Sequence, residues 1–201
     1  MYNIHGDKII RRRKNHPQYI TVESYSKILK EDFHNMCGYC GKDFDIIPCE
    51  KQKDHLIPKE EAKKHNREEL ITDYKNLVYS CRVCNRNKWD RWPLNTIDKL
   101  NDGTVGYVDP ASSEYNKHLK RNLNGEIVAC TEVGEYMYGI FNFKNRLTEV
   151  WWKMGLIKKN IEEIDKLLES KESLPTYRQY RDLINRFNDF CKQLRCEKEM
   201  L

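Results

Sequence analysis

CGYCGKDFDIIPCEKQKDHLIPKEEAKKHNREELITDYKNLVYSCRVCNRNK, residues 37–88, decides how the chain is read. It opens on Cys37-x2-Cys40 and closes on Cys81-x2-Cys84. Two such knuckles bring four sulfurs around one tetrahedral ion, with Zn–S bonds of about 2.3 Å, and all four positions filled make the ion structural. A redox Cys-x-x-Cys accounts for one pair but not for two. Residues 41–80 lie between the knuckles, 40 positions where a compact zinc finger has about 15–20. The clip therefore carries something else inside it.

That cargo has its own pattern. An extended segment leads to Asp54-His55-Leu56-Ile57-Pro58, and Pro58 closes it. The charged run KEEAKKHNREEL has helical character, Tyr74–Tyr79 is aromatic and branched enough for a strand, and CRVCNRNKWDRW has the composition of a short helix. A neutral imidazole at His55, with an ordinary pKa of about 6.5, can take a proton from water near neutrality. Asp54 precedes it on the extended segment, where neighbouring side chains point to opposite sides, so an ideal strand would not aim both at one ligand.

Cys-x2-Cys, Asp54-His55-x-x-Pro58, Asn76-Leu77 and Cys81-x2-Cys84-Asn85-x2-Lys88 in that order resemble the zinc-clipped HNH endonucleases over roughly residues 33–92. The resemblance implies an α+β fold: a ββα-metal module clipped by a four-cysteine zinc site, with an N-terminal helix and a mainly helical C-terminal region. It implies a metal-dependent endonuclease that hydrolyses DNA phosphodiesters, leaving a 3′-hydroxyl and a 5′-phosphate. His55 would activate water, and Asp54 and Asn85 would hold a catalytic cation at a strand end. Asn76 would bond across the hairpin to hold the loop that carries His55. The third signature position is Asn85, which gives a His-Asn-Asn variant; oxygen ligands at Asp54 and Asn85 suit Mg²⁺ or Mn²⁺.

Lys88, three residues after Asn85 on the same helical face, is expected to touch phosphate, and Arg86 and Lys59 to add positive charge beside it. Asp109-Pro110, His118-Leu119, Gly125-Glu126-Ile127, Thr131 with Gly134 and Asn145-Arg146-Leu147 are similar to an extension that follows the module in many bacterial HNH proteins. Such proteins often serve restriction or anti-phage defence, sometimes beside a regulatory ATPase. The alternatives are a non-catalytic zinc module that binds nucleic acid or a partner protein, and an RNase or toxin.

Outward from the clip, residues 1–20 show no period and carry Arg11-Arg12-Arg13-Lys14, which reads as a basic N-terminal arm able to lie on phosphate. Val22, Tyr25, Ile28, Leu29 and Phe33 recur at helical steps behind Thr21 as N-cap, so the module spans residues 21–92. Residues 93–201 form the extension. Its expected strands are Ile127–Thr131 and Tyr136–Ile140, and its helices about 142–169 and 176–198, separated by Leu174-Pro175. The first helix carries Leu147, Val150, Trp151, Met154, Ile157, Ile161, Ile164 and Leu168 on one face. That stripe reads as packing rather than a base-stacking surface, and the two helices could equally dock onto a partner protein. Cys49, Cys130, Cys191 and Cys196 sit in no knuckle and read as ordinary thiols.

The whole chain has 201 residues, room for one domain with an appendage or for two small ones. With 36 Lys and Arg against 31 Asp and Glu, its charge of +5 supports a polyanionic partner only weakly. No stretch reaches the roughly 18 apolar residues of a membrane span, and no apolar signal-peptide core opens the chain, so a cytoplasmic protein with reduced thiols is expected.

Overall fold

The computed structural model describes residues 1–170 and 174–198. They fall into two compact units, divided between Arg146 and Leu147.

In the first unit, a 3-10 turn at Val22–Tyr25 leads into α1 (Ser26–Asp32). Tyr25, Ile28, Leu29 and Phe33 are buried, as their spacing predicts, although the first turn is tighter than an α-helix. β1 (Lys51–His55) pairs antiparallel with β2 (Leu77–Cys81), setting Asp54 opposite Val78 and His55 opposite Leu77. Between them lies α2 (Lys59–Lys64) and, after a left-handed residue at Asn66, a 3-10 turn at Glu68–Ile71. The second strand starts later than its composition suggests. Asp73 caps a 3-10 turn at Tyr74–Asn76 by accepting from the Lys75 N–H at 2.9 Å, and only then does the chain extend. α3 (Arg82–Lys88) completes a ββα module beside the cysteine cluster.

Beyond it come α4 (Tyr115–His118), β3 (Leu119–Arg121), β4 (Ile127–Ala129) and α5 (Glu132–Ile140), with β3 and β4 paired antiparallel. The strand expected at Tyr136–Ile140 is thus the end of a helix. Thr131 Oγ1 caps it by accepting from the Gly134 N–H at 3.1 Å, and Val133 and Met137 bury one face at four-residue spacing. Gly134 is required there, because a Cβ would meet the His118 carbonyl oxygen at 2.1 Å.

Residues 1–20 are not a solvated arm. Ile4 and Ile10 are buried, and Tyr2 exchanges backbone hydrogen bonds with Arg121. Buried Arg121 donates to the carbonyls of Ile4 (3.0 Å), Gly125 (2.7 Å) and Cys40 (2.8 Å), joining the N-terminal segment, the second hairpin and the first knuckle. Two of the four basic residues at 11–14 are likewise engaged within the protein, while Arg11 and Lys14 are exposed. Arg12 donates to the Leu77 carbonyl at 2.7 Å and pairs with Asp109, while Arg13 pairs with Asp32 at 2.6 Å and Glu31 at 2.8 Å. Residues 93–146 thus share one compact unit with the ββα module, and the second unit starts at Leu147.

In the second unit, α6 (Thr148–Ser170) packs on α7 (Leu174–Lys198). Ile157, Ile161 and Ile164 of the expected stripe form a core with Tyr180, Leu183, Phe187 and Phe190. α6 begins six residues later than expected, since Phe143–Asn145 is a 3-10 turn. Pro175 does not separate the helices but sits in the first turn of α7, where its missing N–H costs nothing. The side chains of Leu168 and Cys196 lie outside those described.

Replacing buried Ile4 by Ala is expected to cost about 2–4 kcal/mol and to lower the unfolding temperature by several degrees in circular dichroism. A solvated arm would tolerate the change without effect.

Candidate active site and metal centre

Each knuckle is held by backbone geometry. Cys37 and Cys40 close a turn in which Gly41 N–H donates to the Cys37 carbonyl at 2.8 Å, and Gly38 N–H donates to Tyr79 of β2 at 2.8 Å. His5, whose imidazole burial pushes down to about 4, donates from Nε2 to the carbonyls of Gly38 (2.8 Å) and Cys37 (3.2 Å). Cys81 ends β2 and Cys84 lies in the first turn of α3, so the strand-to-helix junction forms the second knuckle.

All four thiols are buried, and their sulfurs lie within 4.8 Å of one another. Cys40 and Cys81 are 3.9 Å apart, against about 3.8 Å for tetrahedral Zn–S bonds. The donor set fits a structural zinc ion. Among the described residues no other group of three or more His, Cys, Asp or Glu side chains gathers in this way. Cys49 and Cys191 are half-buried and Cys130 is exposed, and none of them is a member of the cluster.

Arg146 covers the sulfurs. It donates from Nη1 to Cys84 Sγ at 3.1 Å and from Nη2 to Cys40 and Cys81 Sγ at 3.5 and 3.6 Å, with Phe143 against its guanidinium. Burial opposes its charge, but the sulfurs hold its pKa well above the ordinary value. Four thiolates on one dication leave an excess of two negative charges, which a guanidinium partly offsets.

β1, the start of α2, Asn85 of α3 and the residues just after that helix carry a cleft of ≈ 550 Å³ lined by, among others, Asp54, His55, Lys59, Asn85 and Trp89. Asp54 is only 6% exposed. Its Oδ2 accepts from Tyr39 Oη at 2.6 Å and lies 3.6 Å from Lys88 Nζ. Burial raises the Asp54 carboxyl above its ordinary value and lowers Lys88, each against the attraction of the other.

His55 stands where β1 ends. Its Nε2 is 2.8 Å from the Ile71 carbonyl, which can only accept, so Nε2 carries the proton and Nδ1 the lone pair. Burial lowers its pKa, and Lys59 and Lys88 add to that, keeping the ring neutral near neutrality. Asn76 is buried behind it. Its Oδ1 accepts from Ile57 N–H at 2.8 Å, and Nδ2 donates to the carbonyls of Ile57 and Leu70, both at 3.0 Å. Asn85 Nδ2 donates to Gln52 Oε1 at 3.0 Å, a bond that leaves its Oδ1 uninvolved.

Residues 37–91 match the family model for HNH endonucleases. Comparison with curated proteins and with solved structures gave no match. The HNH module points to nucleic acid as the class of partner and to nuclease-type or nucleic-acid-binding function. No described helix is long and apolar enough to cross a membrane.

The phosphate contact expected of Lys88 changes. Lys88 is 0% exposed and donates to the His55 carbonyl at 2.6 Å, so it braces the strand end from beneath rather than reaching a ligand. Arg86 is exposed but is not among the cleft-lining residues, whereas Lys59 is. Arg146 and Tyr39 carried no chemical signal in the sequence. Arg146 meets a cysteine 62 positions away in the chain, a separation no local spacing can reveal.

Trp89 also carried none. It is 67% exposed and follows α3 at φ 47, ψ −140. For a bulky residue that backbone costs on the order of 1–3 kcal/mol.

Arg146→Met is expected to speed zinc loss to a chelating dye about 10- to 100-fold, with the folded chain retained. An unchanged rate would show that the guanidinium does not hold the ion. Lys88→Met should destabilise the chain by about 3–5 kcal/mol by stranding Asp54, and adding Asp54→Asn should restore part of that loss in urea unfolding.

Proposed function

We propose that the cleft hydrolyses phosphodiester bonds of DNA, with His55 as general base. The observation that carries this reading is the fixed tautomer of His55. Its Nε2 is occupied by the Ile71 carbonyl, and Nδ1 is the basic atom of a neutral ring in a cleft it shares with Asp54 and Asn85.

Nδ1 takes one proton from a water molecule as the water oxygen attacks phosphorus. The phosphorus–O3′ bond breaks, leaving a 5′-phosphate and a 3′-oxyanion that takes a proton from solvent water to become a 3′-hydroxyl, while His55 returns its proton to solvent. Asp54 and Asn85 would hold a divalent cation, Mg²⁺ or Mn²⁺, which would neutralise charge developing on the phosphate and the leaving oxygen. The donors suit a hard cation: a carboxylate and an amide oxygen, with no sulfur at the cleft. Asn76 positions His55 by locking the loop after β1 to the Leu70 carbonyl, and Lys88 positions it through the His55 carbonyl. Lys59 lies at the rim, ready to meet a phosphate. The family resemblance supports a role for this activity in restriction or phage defence inside the cell, beside a regulatory ATPase.

The test uses the purified zinc-loaded chain with Mg²⁺ and plasmid, single-stranded DNA or RNA. His55→Ala should cut DNA about 10²- to 10⁴-fold more slowly than the parent while unfolding at a similar temperature. Equal rates would remove His55 as base. Preference for RNA would make the protein an RNase, and no cutting of any polymer would make it a non-catalytic zinc module.

A further inference from the structure

Five non-glycine residues among the described ones have positive φ: His34, Asn35, Asn66, Trp89 and Asn142. Four are His or Asn, types that tolerate the left-handed region; Trp is not. The Trp89 N–H still donates to the Asn85 carbonyl at 2.8 Å, so the chain turns only after closing the last helical bond. The turn follows directly on Lys88, whose side chain stays fully buried, and brings an exposed indole to the lining of the cleft that holds His55. Neither the strain nor the exposure serves folding. A glycine would relieve the first, and a polar residue the second.

The charges around the cleft sharpen the point. Lys51, Lys53 and Lys59 share the lining with Glu23, Asp90 and Asp54, the last already paired with Lys88. Lys51 Nζ lies over the Phe44 ring and Lys53 Nζ donates to Ser26, which leaves Lys59 as the lysine of the three with neither kind of contact among the described residues. Charge at the cleft, from lysines or from a cation, acts on phosphate alone, so a contact to a base must come from a side chain of another kind. An indole face stacks on any nucleobase, provided the base is not already stacked in a duplex.

We infer that Trp89 is a base-stacking platform, and that the preferred substrate presents an unpaired nucleobase beside the scissile bond: single-stranded DNA, a loop or a frayed end. This rests on the nuclease reading above for its substrate, not for its geometry. The backbone at Trp89 holds the ring toward the cleft, and a base splayed out of the strand lies on it while the adjoining phosphate faces His55.

Binding is measured by fluorescence anisotropy in the His55→Ala background with Mg²⁺, using a labelled single strand and the same sequence as a duplex. Trp89→Ala should weaken single-strand binding about tenfold and leave duplex binding and the salt slope unchanged, while Trp89→Phe retains most of the affinity. Trp89→Gly should bind the single strand as poorly as Trp89→Ala yet unfold at a higher temperature than the parent. Unchanged single-strand affinity in Trp89→Ala, equal loss on both polymers, or no binding to either would overturn the inference. An indole that meets a protein partner predicts the first of these. If the parent cuts DNA but Trp89→Ala binds like it, only the platform is lost. If the parent cuts nothing yet single-strand binding depends on Trp89, the nuclease reading falls and the platform stands.

Discussion

The first unit is organised by one constraint: four thiols separated by 40 intervening residues must meet within 4.8 Å. A two-stranded hairpin on its own is marginal in water, and β1 and β2 are five residues each. What fixes them is the junction at Cys81, which is at once the last residue of the strand and a member of the cluster. With Cys84 in the same cluster, the start of α3 is tied to the end of β2. The helix can then approach β1 only one way, and that approach sets Lys88 under Asp54 and the His55 carbonyl.

Burying Lys88 and Asp54 together is costly. A buried ion pair with 3.6 Å between its partners seldom adds net stability, because desolvation offsets the attraction. The arrangement makes better sense as a specification of geometry. The ammonium takes the backbone carbonyl of His55, and the Tyr39 hydroxyl takes one carboxylate oxygen of Asp54. Tyr39 lies between the two cysteines of the first knuckle, so the thiol cluster and the candidate active site share a hydrogen bond one residue away from each other. The thiol cluster at the clip and the order of the cleft are therefore linked through short, buried contacts.

The legible part of the site was the part encoded by spacing. The knuckles, Asp54-His55, Asn76 and Asn85 could be read because local sequence and order carry them, and the structure brings Asp54, His55 and Asn85 to one cleft with Asn76 behind the His55 loop. Side-chain direction was the illegible part. Lys88 sits three residues from Asn85, as expected, but α3 is only seven residues long and is sunk against β1, so Lys88 faces inward. Arg12 and Arg13 looked like part of an arm because their partners, Leu77, Asp109, Asp32 and Glu31, lie 18 or more positions away. Tyr136–Ile140 looked like a strand because its aromatics suit one, whereas the Thr131 cap and the close approach of Gly134 to His118 select a helix.

A strand presents alternate side chains to opposite faces, so Asp54 and His55 cannot serve one ligand from within β1. The chain resolves this by ending the strand at His55 and bringing the 3-10 turn at Glu68–Ile71 alongside, whose last carbonyl receives the imidazole. Asn76 bonds to Ile57 and Leu70 and so joins both sides of that arrangement, while its backbone carbonyl accepts from Leu56 N–H at 2.8 Å. Two backbone segments, at Ile57 and at Leu70, thus converge on one side-chain amide through three hydrogen bonds. An amide with a donor and an acceptor in fixed orientation can satisfy all of them at once, which a carboxylate, lacking the donor, cannot. Asn76, which is not among the cleft-lining residues, thus ties the segment after His55 to the residue next to Ile71, whose carbonyl receives the His55 ring.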